Sequence, residues 1–449
     1  MPKLVSRVEL RIPSSEGRML WDSVVAPGEE RVAFASIGYA GLADRHVLLI
    51  SSLLVVPESE YTRDRNGTSW SARINVHAIE RATRAKLGLL IIHSHGAKSN
   101  PTLSVVDRQN GELLCSAFRT AIPDRPHGTV VIGKNGSVSG LVWLPGQKRP
   151  LEVNQSRWVS DPVRLEPPPR TRRGFGERMY SRQRLLLGEE GQRLLSASTV
   201  GVIGLGGGGS HVVQQLALLG VGKLVLVDDD AVEEVNRHRL VGAVPADAAH
   251  GTLKTIVMER LVQASNPFVQ VSVCNNRFPS DEALAALKEC DVMVGCVDTL
   301  AARREIQDFA WRYLIPYIDI GVSIVPEPTA VGKAKVISGQ VYDLIPGEAC
   351  LWCAQLITPA ALDKETGGRG PTYIDQSDQH AQVVSFNGVL ASAAVTEVLH
   401  ILTGFSRREL IPNALQFDGN SGTLTPVLLE RKGGCSICGL ELGRGDPVW

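Results

Sequence analysis

Residues Val200–Gly220 read VGVIGLGGGGSHVVQQLALLG, a strand-like run that breaks at Gly204 and resumes as a helix from Ser210. Gly204, Gly206, Gly207 and Gly209 leave the backbone bare where a strand ends and a helix opens, so that a phosphate can approach and helix N-terminal amides can bind it. Two ligands compete for such a loop. A dinucleotide such as NAD is one, because Asp228 closes the next strand-like run where a ribose carboxylate is expected. A triphosphate with magnesium is the other, and the following residues favour it. Asp228, Asp230, Asn236, Arg239 and Lys254 crowd into 27 residues, a set of cations and carboxylates that a dehydrogenase does not need.

Outward from the loop, strand-like runs Thr199–Gly204, Lys223–Asp228, Gln270–Cys274 and Asp291–Asp298 alternate with helical stretches Ser210–Gly220, Lys254–Ser265 and Glu282–Glu289. That alternation predicts a mostly parallel, doubly wound α/β sheet. Upstream, Val32–Ile37, Val47–Val56, Leu87–Ile92 and Thr129–Ile132 read as strands and Val76–Lys86 as a helix, which predicts a separate α/β domain. Between the two, Pro145–Gly176 holds Pro167, Pro168 and Pro169 followed by Arg170, Arg172 and Arg173, and reads as a linker. The expected division is a first domain over 1–147, a linker over 148–174 and a second domain over 175–449.

Composition narrows the partners. Forty-seven Lys+Arg balance 47 Asp+Glu, so no global field draws the 449-residue chain to nucleic acid or to an anionic membrane. The longest apolar run, Val47–Val56, is ten residues and holds two serines, whereas a bilayer span needs about 20 apolar residues. The N-terminal residues lack an apolar core of signal-peptide length, and a reducing cytoplasm is the expected location. The eight cysteines are accordingly read as thiols or metal ligands.

Four segments carry a family resemblance: RMYSRQRLLLGEEGQRLLSASTVGVIGLGGGGS from Arg178, LVLVDDDAVEEVNRHRL from Leu224, GTLKTIVMERLVQASNP from Gly251 and DVMVGCVDTLAARREI from Asp291. Together they resemble the ThiF/MoeB/HesA superfamily of ubiquitin-activating adenylyltransferases, over roughly residues 175 to 449. The resemblance implies a Rossmann-like domain in which Gly204, Gly206, Gly207 and Gly209 form the nucleotide loop and Asp228 binds the ribose. Asn236, Arg239 and Lys254 would hold the phosphates, and Asp298 would hold magnesium or the reacting phosphate. Arg182 would reach into the partner subunit's site in a homodimer. The reaction is attack by a carboxylate on the α-phosphate of ATP with loss of pyrophosphate, so cations must neutralise two negative partners.

Cys350 and Cys353 in ACLWC and Cys435 and Cys438 in GGCSICG form two C-x-x-C pairs separated by 81 residues. Four thiolates complete a closed tetrahedral zinc site with no open position, which is the structural pattern.

In the first domain, LLIIHSHGAKSNPTLSVVD places His93 and His95 two apart at a strand end, followed by Ser104 and Asp107. Two His and one Asp leave a fourth zinc position for water, the catalytic pattern. The motif resembles the JAMM signature of the JAB/MPN metallopeptidases, over roughly residues 5 to 145. By that resemblance Glu30 in GEERVAFASIG is the general base, with Glu29 as the alternative, and Ser104 steadies the oxyanion. Gly96 stands where the family has proline, and eight residues rather than seven separate His95 from Ser104.

The two resemblances together imply a bifunctional enzyme of a bacterial ubiquitin-like conjugation system, of the kind that serves phage defence. It would adenylate the C-terminal carboxylate of a ubiquitin-like protein and cleave after the same tail, using ATP, Mg2+ and two Zn2+, beside a conjugating enzyme. The alternative is a sulfur-carrier-protein adenylyltransferase whose first domain only binds or processes the carrier. Ala354–Ser385, where activating enzymes of this kind commonly carry a nucleophilic Cys, contains none, so chemistry on this chain is expected to stop at the acyl adenylate.

Overall fold

A computed structural model describes residues 7–26, 29–64, 67–96, 98–160, 162–163, 178–327, 332–366, 381–406, 413–435 and 437–447. The chain divides into two compact units: Met1–Val159 with Trp311–Leu314 and Gly439–Trp449, and Ser160–Ala310 with Ile315–Cys438.

In the first unit, strands β1 Arg7–Pro13, β2 Val32–Gly41, β3 Arg45–Val55, β6 Gly88–Ser94, β7 His127–Ile132, β8 Val138–Trp143 and β9 Leu151–Val159 close a barrel in the order β1-β3-β2-β6-β7-β8-β9. A hairpin of β4 Tyr61–Asp64 and β5 Gly67–Trp70 stands apart from it, and helices α1 Ser14–Leu20, α2 Ala72–Ala85 and α3 Val105–Ala121 complete the unit. Closure depends on β1, which pairs in parallel with both β3 and β9. β6 is buried along its whole length because its two faces serve different cores. Leu90 and Ile92 join the cluster of Leu10, Ile37 and Ile50, while Leu89 and Ile91 join Phe34, Ala78 and Phe118. A strand buried on both faces reads as one continuous apolar run, which is why LLII was legible as a strand. Among the barrel strands Glu9 is ringed by three arginines, with Arg11, Arg157 and Arg45 at 2.7, 3.1 and 3.3 Å.

The expected linker differs from the structure. Residues 151–159 form β9, whose Val153, Trp158 and Val159 are buried, because the barrel needs a strand between β8 and β1. The proline and arginine runs at 167–173 lie outside the described residues.

The second unit carries an eight-stranded sheet. Its strands are β10 Thr199–Ile203, β11 Lys223–Val227, β12 Gln270–Cys274, β13 Val292–Gly295, β14 Tyr317–Pro326, β15 Ala334–Leu344, β16 Ala414–Asp418 and β17 Thr423–Val427. The order is β12-β11-β10-β13-β14-β15-β16-β17. Pairings from β12 to β14 are parallel and those from β14 to β17 antiparallel, so the expected parallel sheet accounts for one half of it. Helices α4 Arg184–Ala197, α5 Gly207–Leu219, α6 Glu234–Arg237, α7 Pro245–His250, α8 Lys254–Ser265, α9 Asp281–Leu287, α10 Leu300–Tyr313, α11 Pro359–Thr366 and α12 Val384–Thr403 connect or cover the strands. This is a Rossmann-like α/β arrangement. α12 is long and apolar enough to cross a membrane, but it packs against α5 and β14 and carries buried Glu397 and His400. It is a core helix.

Candidate functional site

The chain leaves β10 for β11 and β12 on one side and returns to β13 on the other, so a crevice opens beyond the carboxyl ends of β10 and β13. A cavity of ≈ 1030 Å³ occupies that position. Gly204, Gly206, Gly207, Asp228, Asp230, Arg239, Lys254 and Asp298 line it, which brings eight of the sequence-derived residues together.

Each glycine of the loop has its own reason. Gly204 has φ +85, and a Cβ there would meet the Cys296 carbonyl at 2.7 Å. A Cβ on Gly209 would stand 1.9 Å from the Gly204 carbonyl oxygen, so Gly209 lets α5 start against the strand end and is not itself on the cavity wall. Gly206 has nothing within 4 Å of its missing Cβ.

Asp228 follows β11, and its carboxylate accepts hydrogen bonds from the amides of Leu205 at 2.6 Å and Asp230 at 2.8 Å. Burial raises its pKa above the ordinary carboxylate value against the opposing pull of Lys254 and those amides. Lys254 opens α8, with Nζ 2.6 Å from Asp230 and 3.8 Å from Asp228. Arg239 donates from Nη1 to the Val235 carbonyl at 3.2 Å, and desolvation lowers its pKa. Asp298 is exposed on the loop after β13.

Asn236 and Arg182 are not on this wall either. The Asn236 side chain accepts from the Glu233 amide at 3.1 Å, capping the short α6, and does not line the cavity. Arg182 is exposed in the turn before α4, also away from the cavity wall. Arg303 was given no role by the sequence reading. It ion-pairs with the fully buried Asp319, which also accepts from the Tyr317 hydroxyl at 2.6 Å, and its Nη2 donates to the Val297 and Ile320 carbonyls at 2.8 and 3.1 Å. Val297 directly precedes Asp298, so Arg303 holds the loop that presents it. Its signal is an arginine five residues after Asp298, within the same DVMVGCVDTLAARREI segment.

Cys350, Cys353, Cys435 and Cys438 converge in the second unit. Their sulfurs are 3.7 Å apart for 350 and 353, 3.9 Å for 350 and 435, 3.4 Å for 353 and 438, and 3.3 Å for 350 and 438. Tetrahedral zinc with Zn–S of about 2.3 Å requires S···S of about 3.8 Å. The donor set fits the ion.

In the first unit, Glu30, His93, His95 and Asp107 offer ligand atoms that all lie within 4.8 Å of one another. β2 and β6 bring them there, since Val32 pairs with His93. His93 and His95 point to the α3 side by strand alternation, their Nε2 atoms 3.5 and 3.1 Å from the Asp107 carboxylate. Ser94, between them, faces the other way and donates to the carbonyls of Val24 at 2.7 Å and Glu29 at 3.2 Å. Asp107 and Ser104 form the capping box of α3, with the Ser104 amide donating to Asp107 at 2.7 Å and the Asp107 amide to Ser104 Oγ at 3.1 Å. Burial raises the Asp107 carboxyl, but His93 and the Ser104 hydroxyl and amide outweigh it and hold the group well below the usual range. Buried His93 Nε2 has no hydrogen bond of good geometry, as suits an atom reserved for a metal. Glu29 lies within ion-pair reach of Arg63 and Arg31 at 3.8 and 4.0 Å, so Glu30 is the carboxylate of this cluster. Gly96 has φ +60, which proline cannot adopt, and the departure from the JAMM pattern thus reshapes the turn after His95.

The switch-point crevice, glycine loop and aspartate-lysine wall define a nucleotide-binding α/β domain. The chain belongs to the ThiF family, whose match spans residues 180–437. It is 30% identical over 277 residues to the sulfur carrier protein ThiS adenylyltransferase of Escherichia coli, covering 60% of this chain and 97% of that one. It is 29% identical over 270 residues to the sulfur carrier protein adenylyltransferase of Thermus thermophilus, covering 58% and 90%. To the adenylyltransferase and sulfurtransferase MOCS3 of Dictyostelium discoideum it is 28% identical over 265 residues, 58% of this chain and 56% of that protein, so the chain spans about half the length of that relative. Among solved structures, E. coli MccB with succinimide is similar at 23% identity and TM-score 0.47, over 58% of this chain and 74% of that one. The family match does not reach residues 1–159, where the JAB/MPN resemblance rests on the ligand cluster alone.

Proposed function

We propose that the second unit adenylates the C-terminal carboxylate of a sulfur-carrier or ubiquitin-like protein. The observation that carries this reading is the cavity at the switch point, with the glycine loop and the Asp228–Lys254 wall on one side and Asp298 on the other. The named relatives favour the sulfur-carrier alternative over a dedicated conjugation enzyme.

Loop amides position the triphosphate of ATP, while Arg239 and Lys254 offset its charge as the carboxylate approaches. Asp228 takes the ribose, and Asp298 is the residue that would hold Mg2+, which when bound neutralises phosphate charge. The experiment is ATP:pyrophosphate exchange dependent on a carrier with a free C-terminal glycine, in wild type and Asp298→Ala. Loss in the variant is expected, and unchanged exchange, or binding of NAD in place of ATP, defeats the reading.

A second reading belongs to the first unit and rests on the Glu30, His93, His95 and Asp107 cluster. There the chain processes the same tail as a JAMM-type metallopeptidase, with His93, His95 and Asp107 as the residues that would hold Zn2+. The ion when bound supplies a polarised water. Glu30 accepts the proton of the attacking water and returns it to the leaving amine, and Ser104, whose Oγ accepts from Asp107, keeps its own hydroxyl proton for the oxyanion. The four cysteines hold a second, structural zinc. A homodimer in which Arg182 serves the partner subunit is supported by the apolar side chains beside it, Met179, Leu185 and Leu186, which are 50, 88 and 64% exposed. A conjugating enzyme, and a bacterial defence setting, go with the conjugation form of this proposal.

A further inference from the structure

Gly207 is the first residue of α5, and its missing side chain makes room for a residue from far downstream. A Cβ at 207 would stand 2.4 Å from Nδ2 and 3.0 Å from Cγ of Asn387, and 3.3 Å from Cδ of Arg239. Asn387 projects from the first turn of α12, is 5% exposed and lines the cavity. Its Nδ2 is buried without a hydrogen-bond partner. A buried amide donor left unpaired is costly and uncommon, and such groups mark places where a ligand supplies the acceptor. The amides of Gly207 and Gly208, at the start of the thirteen-residue α5, also find no acceptor within their helix and border the same cavity. Two sets of donors therefore converge where an anion is the fitting occupant.

We propose that Asn387 is a further nucleotide-binding residue, whose Nδ2 donates to a phosphate oxygen of ATP lodged at the N-terminus of α5. This rests on the reading of the cavity as the nucleotide site. A neutral donor suits the position better than another cation. Arg239 already stands beside the loop, and one more cation there would add a further salt-bridge partner for the carboxylate that must reach the α-phosphate. A carboxamide grips a phosphate oxygen without capturing the incoming carboxylate.

The test is titration of ATP and of adenosine, which lacks phosphates, into wild type, Asn387→Asp and Asn387→Ser, with thermal melts to confirm folding. Asn387→Asp is nearly isosteric but sets a carboxylate against the phosphates, and ATP affinity should fall about tenfold or more. Asn387→Ser, which replaces the amide donor by a shorter hydroxyl without adding charge, should lose less, and adenosine affinity should match wild type in both. ATP binding unchanged in both variants would overturn the proposal. So would adenosine affinity falling in step with ATP, because the residue would then act through the shape of the pocket. If the aspartate variant does not fold, the serine variant alone decides by the same comparison. Failure of wild type to bind ATP would overturn the nucleotide reading itself, a result distinct from a variant that binds normally.

Discussion

The Ser94 hydroxyl donates to the Glu29 carbonyl at 3.2 Å, so the residue between two candidate metal ligands also anchors the segment that carries the candidate base. The same hydroxyl proton is shared with the Val24 carbonyl at 2.7 Å. Ser94→Ala should keep the metal content of wild type, since His93, His95 and Asp107 are untouched, while cleavage of a fusion bearing the carrier tail falls roughly tenfold as Glu30 loses its placement. Metal analysis beside a cleavage assay checks this, and loss of metal with retained cleavage per bound metal would refute it.

Zinc content separates the two clusters. Wild type should hold two equivalents, His95→Ala one, and Cys438→Ser one. The cysteine variant should also lose about 4 kcal/mol or more of stability, because a structural ion contributes to folding directly. Inductively coupled plasma analysis with denaturant melts reads both, and equal destabilisation by the two variants would count against a structural role for the cysteines.

Two glycines of one loop should behave oppositely. Gly206→Ala adds a methyl into space with nothing within 4 Å, so the protein should melt like wild type and lose ATP affinity. Gly209→Ala sets a methyl 1.9 Å from a carbonyl oxygen, and should cost about 1–3 kcal/mol of stability. A Gly206→Ala variant with wild-type affinity would show that ATP does not lie along that stretch of backbone.

Acid should find Glu9. Burial raises its pKa, but Arg157, Arg11 and Arg45 outweigh burial and bring it down to about 2 from 4.5. A carboxyl with a depressed folded-state pKa stabilises the fold fully above its unfolded pKa, and that contribution is lost as pH falls from about 4.5 towards about 2. The group contributes about 3 kcal/mol at neutral pH. Urea midpoints between pH 6 and pH 3 should decline more steeply for wild type than for Glu9→Gln, which should already be strongly destabilised at pH 6 because three arginines lose their counter-charge. Parallel curves would remove Glu9 from this role.

The sequence was most readable where one physical requirement shows as one local pattern. A phosphate loop needs bare backbone within a few residues, and a tetrahedral metal needs its ligands paired at short spacing, so Gly204–Gly209 and the two cysteine pairs stood out. Arg303 and Asn387 did not, because each acts across the fold: one clamps the carbonyl before Asp298, and the other reaches α5 from a different helix. Asn236 shows the converse, a residue in the right motif whose side chain is engaged in a helix cap. The strand at 151–159 is hidden by polar residues, Glu152, Asn154, Gln155, Ser156 and Arg157, which leave Leu151, Val153, Trp158 and Val159 as its apolar residues.

The barrel is shut by its first strand, and this sets an order of events on the ribosome. β1 emerges before all its neighbours, yet the strands that flank it are β3 and β9, and β9 ends at Val159. Until that residue has cleared the exit tunnel, the growing chain carries a sheet with unpaired borders, the state in which strands recruit one another from different polypeptides. Slow translation before β9 would prolong that exposure, and trimming β1 from a finished gene would make it permanent.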